Sequence, residues 1–245
     1  MHQQHPNFIR PETEKIWRYM TFTKFVSILE KNELFFTRAD KFEDPFEGTY
    51  SRANLNKENR NFFYPDESID SMVIEQVHGH IRWLRQFMLI SCWHVNEVES
   101  DAMWKLYLRS GEGIAIQSTY SRLSHAFNDT KENVFIGKVR YRDNDRDWTP
   151  EGNLFAPFLE KRNHFIHEQE LRAVIDYSLE LGENKLPEAP FRYGLGISVD
   201  VETLIENIYV SPTAPAWFAD LVDSVTKKYG LNKTVIHSEL LTNPY

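Results

Sequence analysis

Apolar residues in this 245-residue chain come in short runs, of which Phe87-Met-Leu-Ile90 is typical. None approaches the roughly 20 residues needed to span a bilayer. A chain patterned this way buries its apolar mass by stacking many short strands and helices rather than a few long ones. The spacing bears that out. Lys15-Ile-Trp-Arg-Tyr-Met20 alternates Ile16 with Arg18, as a half-buried strand does, and Phe22, Phe25, Val26 and Leu29 then fall at helical spacing behind a capping Thr21. Leu34-Phe-Phe-Thr37 and Phe87 to Trp93 read as strands, the second continuous enough to be central. Val73, Val77, Ile81 and Leu84 make one helical stripe.

Further along, Ser100 and Asp101 open a short helix carrying Met103, Trp104, Tyr107 and Leu108. Gly113 to Gln117 and Val134 to Tyr141 read as strands. After Pro157 a helix is expected over Phe158, Leu159 and Phe165, leading into a strand in the second half of Glu168 to Ile175. Ile197 to Val201 and Asn207 to Val210 flank a single helical turn. Pro215 opens a helix through Trp217, Leu221, Val222 and Val225 that stops at Gly230, and Thr234 to His237 closes the pattern. Strands outnumber long helices and do not alternate with them regularly. The expected fold is therefore α+β, with a mixed or antiparallel central sheet and flanking helices, in a single globular domain over 1–245. The polar stretches Arg52 to Arg60 and Asp143 to Asn153 read as surface loops.

Composition closes off several classes. With 28 Lys and Arg against 36 Asp and Glu, the formal charge of −8 gives no whole-molecule attraction to nucleic acid or anionic membrane. The single Cys92 excludes an internal disulfide and a cysteine-rich zinc module. The first residues carry no basic segment followed by an apolar one, so a cytoplasmic protein with no membrane association is expected. Neither a P-loop nor a Gly-x-Gly-x-x-Gly fingerprint occurs, which argues against P-loop ATPases and Rossmann dehydrogenases.

Five constellations could carry chemistry. Glu168-Gln-Glu170 lies at the mouth of a strand, where residues two apart share a face. The pair could act as acid and base or stabilise positive charge, or Glu170 could simply bridge to Arg172. Trp17-Arg18-Tyr19 offers a guanidinium for phosphate with rings for stacking, against the plainer reading of an edge strand with two core aromatics. Ser91-Cys92-Trp93 ends an apolar strand, and its small hydroxyl could line a cleft; Cys92 with His94 nearby is a less favoured nucleophile. Asp40, Glu43, Asp44 and Glu47 crowd an acidic turn that lacks calcium-loop spacing. Scattered histidines such as His164 and His167 lack zincin spacing, and no metal site is expected.

In their order, several of these segments resemble a bacterial family known as domain-of-unknown-function family 2971. They are Trp17-Arg-Tyr-Met20, Leu34-Phe-Phe-Thr37, Asp44-Pro-Phe-Glu-Gly48, Ser91-Cys-Trp93, Asp101-Ala-Met-Trp-Lys-Leu-Tyr107, Gly113-Ile-Ala-Ile116 and Glu168-Gln-Glu-Leu-Arg172. More distantly, the succession of Arg18, Ser91 and Glu168-x-Glu170 is similar to the ADP-ribosyltransferase superfamily. That resemblance implies an ADP-ribosyltransferase-like fold with NAD as substrate. Arg18 would orient the pyrophosphate, Trp17, Tyr19 and Trp93 would pack the nicotinamide, and Ser91 would support the first strand. Glu170 would stabilise positive charge at the ribose, and Glu168 would take a proton from the acceptor or from water. Asp44, Glu47 and Arg172 are further candidates for the cleft. The implied activity is transfer of ADP-ribose to a protein or nucleic acid, or NAD hydrolysis, with a role in bacterial conflict, as a toxin or in phage defence.

Two other readings stand beside it. One is a metal-dependent nuclease or phosphodiesterase with Asp44, Glu47, Glu168 and Glu170 as ligands. The other is a non-catalytic module that binds a nucleotide or a partner. Glu170→Gln is expected to leave folding intact, because a residue at a cleft mouth carries little packing.

Overall fold

The computed structural model describes residues 1–5, 8–9, 14–56, 71–108, 111–181 and 188–242. Along the chain the strands are β1 (His2–Gln3), β2 (Lys15–Thr21), β3 (Glu33–Arg38), β4 (Met88–Val95), β5 (Gly113–Thr119), β6 (Val134–Lys138), β7 (Arg140–Arg142), β8 (Glu160–Arg162), β9 (Glu170–Asp176), β10 (Gly194–Ser198), β11 (Asn207–Val210) and β12 (Thr234–His237). The helices are α1 (Phe22–Lys31), α2 (Ser71–Leu84), α3 (Asp101–Tyr107), α4 (Tyr120–His125), α5 (Val201–Leu204) and α6 (Ala216–Lys228). These elements form two compact units. The first contains Met1–Phe35, Cys92–Ile136 and Gly196–Tyr245, and the second contains Phe36–Ser91 and Gly137–Leu195.

In the first unit β2 is central. It runs antiparallel to the end of β4 (Ile16 opposite Val95, Trp17 opposite His94) and to the whole of β5, from Lys15 opposite Thr119 to Thr21 opposite Gly113. β5 continues antiparallel to β11, and β11 runs parallel to β12. Alternation along β2 sends Trp17 and Tyr19 to one face, where they meet Met103, Trp104 and Ala115 in a closed core. Both polar tips are satisfied there: Trp17 Nε1 donates to the Asn96 carbonyl at 2.7 Å, and the Tyr19 hydroxyl accepts from the Ser100 N–H at 2.8 Å. Ser100 also caps α3 through its hydroxyl. The sheet is mixed and mostly antiparallel, with helices packed against it. This is the α+β class the sequence leads one to expect. No described helix is long and apolar enough to cross a membrane.

In the second unit the end of β3 pairs antiparallel with the start of β4, Thr37 opposite Ile90 and Arg38 opposite Leu89. β9 also hydrogen-bonds to β4, and every residue of β9 is buried. β7 and β8 form a short parallel pair, Tyr141 opposite Lys161.

Several elements differ from the sequence expectation, each for a tertiary reason. The strand over Val134 to Tyr141 breaks at Val139, whose N–H turns to the Glu170 carbonyl at 2.8 Å. The helix expected after Pro157 is instead two 3-10 turns, Ala156–Phe158 and Asn163–Glu168, separated by β8. Charged residues of β8 are pulled inward by partners elsewhere, which overrides the helical spacing. Thr21 precedes α1 but makes no side-chain cap, its hydroxyl lying 3.0 Å from that of Thr23. In α2 the buried positions are Ile81 and Leu84, whereas Val77 is exposed and the Val73 side chain lies outside the described residues. Along α6 the buried face is Phe218, Val222 and Thr226, and Trp217 and Leu221 face solvent.

The expected surface loops are pinned. The hydroxyl of Ser51 donates to Asn54 Oδ1. Asn54 in turn exchanges hydrogen bonds with the Thr149 backbone, both at 2.9 Å, and Thr149 Oγ1 donates to Glu160 at 2.7 Å. Residues 57–60 of the first loop lie outside the described residues.

Trp17 is 1% exposed, so its indole is core mass. Trp17→Ala is expected to cost about 3–5 kcal/mol. Urea unfolding measures this, and a variant as stable as the wild type would show that the indole packs against nothing.

Candidate functional site

β9 is the spine of the most charged interior in the second unit. Arg172 is 0% exposed and Glu170 4%, two residues apart on one face. A guanidinium withdrawn this far from water must fill its donors or cost several kcal/mol. It does so: Nε donates to Glu170 Oε2 at 2.7 Å, Nη1 to the Phe158 carbonyl at 2.8 Å and Nη2 to Glu47 Oε1 at 3.0 Å. Nη1 also lies 2.9 Å from Glu47 Oε2.

Lys161, delivered by β8, completes the cluster. Its ammonium donates to Glu170 Oε1 at 2.7 Å and Glu168 Oε2 at 2.9 Å, and stands 3.2 Å from Glu47 Oε1. Glu168 closes a 3-10 turn rather than lying on the strand. Gln169 follows with φ +40°, held by its N–H to the Ile166 carbonyl, and only then does β9 begin. The two carboxyls therefore meet because a left-handed residue folds one back on the other, not because they share a strand face. They are joined by a hydrogen bond.

The acidic turn is also anchored. Asp44 Oδ1 accepts from the Phe46 N–H at 3.1 Å, and the Asp44 carboxylate takes a two-pronged grip from Arg162, at 2.8 and 3.1 Å. The Arg162 guanidinium lies 4.4 Å from the Phe46 ring centre. Gly48 closes the turn with φ +65°, where an added Cβ would stand 2.6 Å from the Phe158 ring.

These contacts separate the protonation of the paired acids. For Glu170, burial alone would raise the pKa, but Arg172 and Lys161 overcome it and hold the carboxyl well below the usual carboxylate range. For Glu168, burial together with the hydrogen bond and charge of Glu170 pushes the pKa up to about 7, against the pull of Lys161. Burial would lower the Lys161 ammonium, yet Glu170 and Glu47 hold it above its ordinary value. Burial raises the Tyr141 phenol, whose oxygen accepts the Glu170 N–H at 2.8 Å.

The remaining candidates fall as follows. Ser91 is buried within β4 in the second unit. In the first unit Arg18 is half-buried. Its guanidinium lies 5.7 Å from the Trp93 ring centre and donates to the Phe35 carbonyl at 3.1 Å, and burial lowers its pKa against Cys92 and Tyr107. Trp17 and Tyr19 lie on the opposite face of β2 and do not flank it. The structure thus brings Glu47, Glu168 and Glu170 together on Lys161 and Arg172, while Asp44 is held separately by Arg162. Lys161, Arg162 and Tyr141 are the partners that sequence reading missed. The signal was faint: a Lys-Arg pair six to nine residues before the acids, inside an expected helix. Glu170 is 4% exposed and held between Lys161 and Arg172 rather than at an open cleft mouth, so Glu170→Gln is now expected to cost stability. Among the described residues no group of three or more His, Cys, Asp or Glu is arranged to hold a metal ion.

No family model matches the chain, so the resemblance to family 2971 finds no support there, and no curated protein matches it. Solved structures do align along most of its length. DarT from Thermus sp. 2.9 in complex with NAD+ is 11% identical with a TM-score of 0.43, covering 94% of this chain and 98% of that one. The same protein in complex with ADP-ribosylated ssDNA is 11% identical with a TM-score of 0.43, covering 94% and 97%. A likeness of this size identifies no family.

Removing one partner of a buried ion pair leaves the others uncompensated. Arg172→Met is expected to lose about 3–5 kcal/mol in urea unfolding. By contrast, Lys105→Ala, which breaks the exposed pair with Asp101, is expected to change stability by under about 0.5 kcal/mol. Equal losses in the two variants would deny the cluster its structural role.

Proposed function

We propose that the chain cleaves NAD at the bond between nicotinamide and ribose, passing ADP-ribose to a macromolecular acceptor or to water. The observation that supports this is the pair Glu168 and Glu170. Of the two adjoining carboxyls, one is anchored as an anion and the other has its pKa raised to about 7. Divergent environments of this kind assign acid and base roles.

In this reading the C1′–N bond breaks with its electron pair going to the nicotinamide nitrogen. The acceptor oxygen bonds to C1′ and its proton passes to Glu168, which has a pKa suited to general-base work near neutrality. Glu170, fixed by Arg172 and Lys161, supplies negative charge beside the forming cation. The proposal takes the identity of the substrate from the order of Arg18, Ser91 and Glu168-x-Glu170 in the sequence. It extends to a protein or nucleic acid as the acceptor and to a role in bacterial conflict.

The metal-dependent alternative is less well supported, because Asp44, Glu47, Glu168 and Glu170 already spend their oxygens on Arg162, Arg172 and Lys161. The 4% exposure of Glu170 weighs against its direct contact with a substrate, and a non-catalytic module that binds a nucleotide or a partner is the reading left if NAD is not turned over.

NAD turnover decides between catalysis and binding. The wild type is expected to release nicotinamide from NAD, alone or with an acceptor, and Glu168→Gln to reduce the rate by about 10²–10⁴-fold with an unchanged circular dichroism spectrum. Wild-type rates in Glu168→Gln would remove the proposal.

A further inference from the structure

We propose that Arg85 is an anion-binding residue that takes phosphoryl oxygens of a nucleotide or of free phosphate. Arg85 follows directly on α2, in the second unit, and its backbone is held from both sides. Its N–H donates to the Ile81 carbonyl at 3.0 Å, and its own carbonyl accepts from Asp40 at 3.2 Å. Its stem packs against Gly48, where an added Cβ would stand 3.3 Å from Arg85 Cγ. The side chain is therefore directed before any ligand arrives.

Arg38, Lys161, Arg162 and Arg172 are each paired with a carboxylate, whereas among the described residues Arg85 has none at salt-bridge distance. Its Nε is buried without a hydrogen-bond partner among the described residues, on a side chain that is half-buried as a whole. Asp40, Glu47 and Asp44 lie close enough to act on it electrostatically, yet each is already committed. Asp40 receives both Nε and Nη2 of Arg38 at 2.8 Å, Asp44 receives Arg162, and Glu47 receives Arg172 and Lys161. Burial lowers the Arg85 pKa, and those carboxylates oppose it.

A half-buried guanidinium with fixed backbone, packed stem and unmatched donors suits an oxyanion. Its planar fork matches the oxygens of a phosphoryl group in a way that a point charge does not. The acids nearby do not forbid this, because their charge is already answered at hydrogen-bond distance. Where the ligand is a nucleotide, the assignment rests on the reading of NAD as substrate, since its pyrophosphate supplies such oxygens.

The test uses the full chain, with ADP-ribose, inorganic phosphate and nicotinamide riboside as calorimetric titrants. The wild type is expected to bind ADP-ribose and not nicotinamide riboside, which has no phosphate. Arg85→Gln is expected to weaken ADP-ribose at least tenfold, and Arg85→Lys, which keeps charge but not the fork, to fall between. Inorganic phosphate competing at concentrations near the Kd of ADP-ribose marks phosphate itself as the ligand; much weaker competition marks the nucleotide. Arg85→Gln removes an unpaired buried donor, so its melting temperature is expected to match or exceed that of the wild type. Equal ADP-ribose affinity in wild type and Arg85→Gln would overturn the proposal even if Glu168→Gln abolishes NAD turnover. Phosphate binding lost in Arg85→Gln, in a protein that never releases nicotinamide, would uphold the anion site and remove the enzymatic reading.

Discussion

A guanidinium with no exposure to water sets the terms for the second unit. Arg172 stands on a strand buried along its whole length, and such a charge persists only if its donors are filled. That requirement dictates much of the surroundings. Glu170 must share its face, and the turn holding Asp44 and Glu47 must fold over it. The Phe158 carbonyl must face it, so the chain after Pro157 cannot continue as a helix. Gly48 belongs to the same solution, because its left-handed backbone and missing side chain let the turn close against the Phe158 ring.

Charge counting then explains the chemistry of the pair. Glu47, Glu168 and Glu170 gather about Lys161 and Arg172, three acids about two cations. The surplus carboxyl is cheapest to neutralise where the cations are fewest. Glu168 touches Lys161, whereas Glu170 touches Lys161 and Arg172, so the proton settles on Glu168 and the charge on Glu170. An arrangement needed to keep an arginine inside the protein thus also produces a carboxylic acid that titrates near neutrality.

What the sequence revealed, and what it hid, follows the range of the forces involved. β2, β5, β11 and the helix after Pro215 were legible because their apolar periodicity is local. The pairing of Glu170 with Arg172 was legible for the same reason, as two residues two apart on one strand. Lys161 was not, since its place is set by Glu47 on a distant turn as well as by Glu168 and Glu170, and helical spacing around it pointed the wrong way. Glu168 came to the right neighbourhood by a different route, through the left-handed Gln169, which no period-two argument contains. Trp17 and Tyr19 illustrate the converse. Flanking Arg18 in sequence, they are separated from it by the pleat, and their rings belong to the core with Met103 and Trp104.

The cluster splits the paired acids into one carboxyl that titrates near neutrality and one fixed anion. Carbon-13 NMR of the glutamate side-chain carboxyls, followed across pH with Glu168→Gln used to assign the signals, measures it most directly. Glu168 is expected to titrate near pH 7, and Glu170 to stay ionised to well below the usual glutamate range. Titration of both carboxyls together near the ordinary value, about 4.3, would contradict that split.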